Sequence, residues 1–105
     1  MNKIHLLFNE LPEYPDDIAK YFELQGIKGV RGAISACPVA QYLRKNGFKN
    51  IEVSHSFCIG QTDDHNELKA MTPRHVAVFM HKFDEGKYVS IDIDANMSGY
   101  GQTTI

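Results

Sequence analysis

Apolar residues recur along this chain with two periods. Val76, Phe79, Met80 and Phe83 stand at i, i+3, i+4 and i+7, the stripe of an amphipathic helix. Thr72-Pro73 supplies an N-cap and a first-turn proline, and Gly86 stops this helix. Ile18, Ala19 and Phe22 make a similar stripe from about Pro15 to Gly26, with Asp16 and Asp17 at its electropositive start. Another helix is predicted from Pro38 to about Asn46, with Val39, Ala40 and Leu43 inward and Tyr42 beside them. Proline suits its first position because the missing N–H has no intrahelical acceptor there. Cys37 then falls at the N-cap.

The second period is two. Residues 50–59, NIEVSHSFCI, place Ile51, Val53, His55, Phe57 and Ile59 on one face of a predicted strand. Residues 88–94, YVSIDID, alternate with Val89, Ile91 and Ile93 inward and Ser90, Asp92 and Asp94 outward. Residues 3–8, KIHLLF, make a third strand ended by Pro12 and Pro15. Residues 60–71 are polar and aperiodic and read as a loop. The tail 95–105 is expected to be loose or to end in a short edge strand. The order β-α-α-β-α-β predicts an α+β fold: a small, mainly antiparallel sheet with about three helices packed on one face. At 105 residues the chain is one domain, without repeat or linker.

Composition adds little to that picture. The chain is 43% hydrophobic and 23% charged, with no Trp but six Phe and five Tyr. The start, MNKIHLLFNELP, lacks the core and cleavage site of a signal peptide, and no run approaches the roughly 18 apolar residues of a membrane span. These features predict a cytoplasmic protein with no membrane partner. Cys37 and Cys58 are then expected as free thiols.

Charge changes the picture more. The net charge is −2. Lys28, Arg31, Arg44, Lys45 and Lys49 fall in residues 28–49, which hold no acid; six bases and all thirteen acids lie elsewhere. The segment is either ordinary solvated surface or an anion-attracting patch, with Arg31, Arg44, Lys45 and Lys49 as candidate partner contacts. A nucleic-acid partner is not expected of an acidic chain.

Part of the chain, from Ile18 to Ile93, resembles a family of small hypothetical proteins of actinobacteria and their phages. The pattern is GI-x-G-x-x-G, then CPVA-x-YLR-x-x-G, a strand, a proline-led helix and FD-x-G-x-Y. The matching residues are Gly26-Ile27, Gly29, Gly32, Cys37-Pro38-Val39-Ala40, Tyr42-Leu43-Arg44, Gly47, Pro73, Phe79, Phe83-Asp84, Gly86 and Tyr88. The resemblance implies a phage or mobile-element setting and supplies no reaction. The N-terminal segment and the residues after Asp94 fall outside the pattern.

Three sets of residues carry candidate chemistry. A thiol at a helix N-terminus, near Arg31 and with a histidine as base, is the start of a nucleophile pair, so Cys37 and His55 are the candidate catalytic residues. The alternative is that Cys37 is a small packed plug and His55 a neutral histidine. Gly29, Arg31, Gly32, Ser35 and Cys37 form a candidate anion site, the alternative being a set of glycine turns. Asp63, Asp64, His65, His75 and His81 lack metal-ligand spacing, and no P-loop, Rossmann turn, CxxC or HExxH is present, so neither metal nor cofactor is expected.

The leading expectation is a non-enzymatic binding module, acting on a host protein as inhibitors and anti-defence factors do, through segment 28–49 or the tail. Its rivals are a small cysteine-centred enzyme or anion sensor using Cys37, and a structural subunit of a homo-oligomer.

Overall fold

The computed structural model describes residues 2–93. The fold is α+β: α1 (Lys3–Asn9), α2 (Pro15–Leu24), α3 (Pro38–Lys45), β1 (Lys49–Val53), β2 (Phe57–Gln61), β3 (Glu67–Met71) and α4 (Arg74–Asp84), then a single 3-10 turn at Val89–Ile91. The strands form one antiparallel sheet in the order β1-β2-β3. Among the described residues no helix is long and apolar enough to cross a membrane.

The register sorts the two faces of the sheet. Val53, Cys58 and Ala70 align across the three strands and are buried, while the next row, Glu52, Ile59 and Lys69, faces away. Helices α1 and α3 pack on β3 and β1, and α2 packs on α4. Phe22 and Phe79 meet edge to face at 5.4 Å, and Phe79 stacks on Tyr88 at 5.2 Å. Tyr42 is buried against Phe22 and donates its hydroxyl to the Leu7 carbonyl at 2.7 Å, tying α3 to α1. Such aromatic contacts contribute about 0.5–1.5 kcal/mol each beyond area burial.

Three segments differ from the sequence reading. Residues 3–8 are helical, not extended: Ile4, Leu7, Phe8 and Leu11 are the buried set, and their spacing is i, i+3, i+4, i+7. Asn2 caps this helix, accepting from the His5 N–H. The long strand 50–59 is a hairpin folded at residues 54–56. There the Ser54 hydroxyl accepts from the N–H groups of Ser56 and Phe57 and donates to the Phe57 carbonyl. Its partner β3 lies within the segment read as a loop. Of the predicted strand 88–94, the described residues 88–93 do not join the sheet, and Val89–Ile91 form a 3-10 turn. Val89 is exposed, and the backbone pairing of this stretch is a parallel bridge, Gly29 to Asp92. The expectation for residues 95–105 lies outside the described residues.

Candidate functional site

The glycine-rich segment before α3 is built around a close approach. The Gly29 N–H donates to the Ile91 carbonyl and the Ile93 N–H to the Gly29 carbonyl, both at 2.9 Å. The Gly29 α-carbon also lies against the Cys37–Pro38 peptide, where no Cβ fits. Next along, Arg31 Nε meets Asp92 Oδ2 at 2.8 Å. Asp92 is fully buried, although its alternation placed it outward. Then the Gly32 N–H donates to Asp84 Oδ1 at 3.1 Å.

These bonds give groups of the anion-cradle reading partners within the chain. Arg31 is directed at a carboxylate of the chain itself, the Gly29 N–H faces a carbonyl, and Gly32 faces an acid. Ser35 contributes its carbonyl to Arg44, at 3.0 Å. The basic segment is divided as well. Lys28, Arg44 and Lys45 share one open groove, but Lys45 donates to the Gln25 carbonyl and Arg44 also to Gln41. Lys49 starts β1 opposite Gln61, away from them.

A pocket opens on the other side of the same segment. It has a volume of about 220 Å³ and is bounded by Gly32–Ile34, Cys37-Pro38, Val53–His55, and Phe79, Met80, Phe83 and Asp84 of α4. Cys37 is the N-cap of α3 as expected, but its side chain makes no capping bond, and it is 6% exposed. The backbone N–H groups of Val39 and Ala40 at the helix start favour thiolate. Burial outweighs them and holds the thiol above its ordinary range, with the nearby Asp84 charge adding in the same direction.

His55 is not on a strand face. It sits in the hairpin turn, half exposed, with Nε2 3.7 Å from Asp84 Oδ2 and its ring edge-on to His81 at 6.2 Å. Cys37 and His55 therefore share a pocket, yet among the described residues no hydrogen bond joins them. The structure brings together Cys37, His55 and Gly32; it leaves Arg31, Ser35, Arg44, Lys45 and Lys49 outside this pocket. Cys58 is a separate buried thiol, in contact with Thr72 Oγ1 at 3.2 Å and pushed up to about 11 by its burial. Neither cysteine forms a disulfide. Among the described residues no cluster of three His, Cys, Asp or Glu could hold a metal.

Asp84 is the residue that sequence reasoning passed over. The signal was available: an acid ending a helix opposes the macrodipole, which favours cations there. No family model, curated protein or solved structure matches the chain.

A thiol in this state reacts slowly. In a Cys58→Ser background, alkylation of Cys37 at pH 7 is expected to run at least tenfold slower than for an unfolded control, because only the thiolate attacks. The rate should keep rising with pH beyond the range where an ordinary thiol has levelled off. Fast labelling with a low apparent pKa would instead mark an activated nucleophile.

Proposed function

We propose that the chain is a non-enzymatic binding module that takes a small, largely apolar group in the pocket between the glycine segment, the hairpin turn and α4. One observation carries the reading: Ala33, Ile34, Val53, Phe79, Met80 and Phe83 surround a space of about 220 Å³ that no side chain fills. It is a concave, mostly apolar opening with Phe79 and Phe83 on its wall and few polar groups beside them, the kind of surface on which small ligands bind. It is smaller than drug-sized pockets of about 300–1,000 Å³, so the occupant is a single ring or one side chain. The cytoplasmic setting expected from the sequence and the phage-accessory setting implied by the resemblance belong to the same proposal. Among the described residues a host-protein partner has the open basic groove behind it, and there Arg44 and Lys45 already serve carbonyls of the chain itself.

A second reading, a cysteine-centred enzyme, is favoured by Cys37, His55 and Asp84 lining one pocket. It needs His55 to turn from Asp84 towards the sulfur and the thiol to lose its proton, and the geometry opposes both.

The test is amide chemical-shift mapping with small aromatic fragments on the intact chain. Shifts are expected at Gly32, Val53, Ser54, His55 and Phe79, with Kd near about 1 mM, the affinity of a few kcal/mol that one ring supplies. Ala33→Phe, which fills the space, should weaken them about tenfold or more. Shifts scattered over other faces, or untouched by Ala33→Phe, would sink the reading.

A further inference from the structure

The pocket is apolar within and carries one fixed charge at its mouth. Asp84 is the last residue of α4, so its carboxylate sits at the negative end of that helix, followed at once by Glu85. The two negative contributions add. Oδ1 takes the Gly32 N–H at 3.1 Å, and Oδ2 faces His55 Nε2 at 3.7 Å, beyond hydrogen-bond length. Two cations near this helix end have partners of their own: Arg31 pairs with Asp92 (2.8 Å) while its guanidinium also lies close to Gly86, and Lys82 stands 3.7 Å from Asp16.

The opposite wall is the N-terminus of α3, which by itself would attract an anion. Here it is closed. Pro38 has no N–H, and Val39 and Ala40 are fully buried and do not line the pocket. The pocket therefore offers an acceptor at its mouth and no open donor array at its floor.

We infer that this pocket selects an organic ammonium group: a primary amine on a short apolar stem, the stem lying on Phe79 and Phe83 and the ammonium donating to Asp84. The inference rests on the pocket reading above and names the chemistry of its occupant. Asp84 acts on Cys37 in the same sense: burial is the main cause of the raised thiol pKa, and the Asp84 charge adds to it. A small free amine and a lysine side chain of another protein share this chemistry.

Three probes with one apolar body separate charge from shape: 2-phenylethylamine, 2-phenylethanol and 3-phenylpropionate, titrated by calorimetry and shift mapping at pH 8, above the ordinary imidazole range. The amine is expected to bind about tenfold tighter than the alcohol, as a charge-assisted bond outweighs a neutral one. The carboxylate is expected to be weakest. Asp84→Asn, which keeps an oxygen for the Gly32 N–H, should bring the amine down to the level of the alcohol in the same variant. Equal binding of amine and alcohol, or a winning carboxylate, overturns the ammonium inference while the alcohol still reports a working pocket. Silence from all three overturns the pocket reading too. Nα-acetyl-lysine methylamide added as a fourth probe tells the sources apart. Binding as tight as that of the free amine assigns the site to a protein side chain, and much weaker binding assigns it to a small molecule; either result supports the inference.

Discussion

Gly29→Ala is expected to cost at least about 3 kcal/mol, or to prevent folding altogether. A Cβ at this position would stand 2.5 Å from the Cys37 carbonyl carbon and 2.6 Å from Pro38 Cδ, closer than real Cβ atoms come. The obstacle is backbone and a rigid ring, which cannot swing aside as a side-chain tip can. Relief requires moving the glycine segment off α3, which breaks the bonds to Ile91 and Ile93 as well. Overpacking in a core costs about 1–3 kcal/mol, more where the backbone must give. Gly32→Ala is the control. Its φ is +71°, but nothing lies within 4 Å of the added carbon, so only the left-handed conformation is penalised. That costs about 1 kcal/mol. Urea titrations of both variants, read as shifts in midpoint at constant slope, decide the matter. Similar losses in the two would mean that the close approach is not what holds the segment.

Arg31→Met is expected to be nearly as damaging, at about 2–4 kcal/mol. Removing one member of a buried pair costs about 3–5 kcal/mol because the other charge stays in the interior. Asp92 is fully buried, while Arg31 is 39% exposed, so some water screening lowers the figure. Arg31→Lys should recover part of the loss, since it keeps the charge and loses the geometry of Nε. Local exchange gives a second readout. The amides of Gly29 and Ile93 bridge the two segments that this ion pair holds together, and their protection should fall before that of β2. A loss below about 0.5 kcal/mol, the scale of an ordinary surface pair, would mean the pair contributes no clamp.

Helices α2, α3 and α4 were legible because periodicity and punctuation agreed. Pro15 and Pro38 open the first two, and Gly26, Gly47 and Gly86 follow the three ends within two residues. Segment 3–8 misled because six residues fit both periods; extending the window to Leu11 picks the helix. The hairpin was invisible for another reason. Its turn is Ser-His-Ser, held by the Ser54 hydroxyl and by bonds from Thr72 to the Ser54 and Ser56 carbonyls, without the glycine, asparagine or proline that marks most turns. Apolar residues continue on both sides, so two strands read as one and His55 was assigned to a face rather than a bend. β3 was missed because only Leu68 and Ala70 turn inward, too few to show a period.

At the site, the position of Cys37 was legible from Pro38, and its chemistry was not. The rule that helix starts activate thiols omits burial, which wins here. Asp92 was placed outward by alternation because nothing local announces a partner 61 positions earlier. Asp84 stood in a quoted motif, yet its importance depends on Gly32 and His55 arriving from elsewhere.

The pocket borrows its walls from residues 32–38, 53–55 and 79–84, which have no reason to meet in an unfolded chain. Any occupant therefore binds the native form alone and adds to its stability by mass action, about 2.7 kcal/mol at a hundredfold excess over Kd. In a cell, where unfolded chains are removed by proteases, a change of that size alters how much protein persists. The level of this protein then follows the supply of whatever fills it.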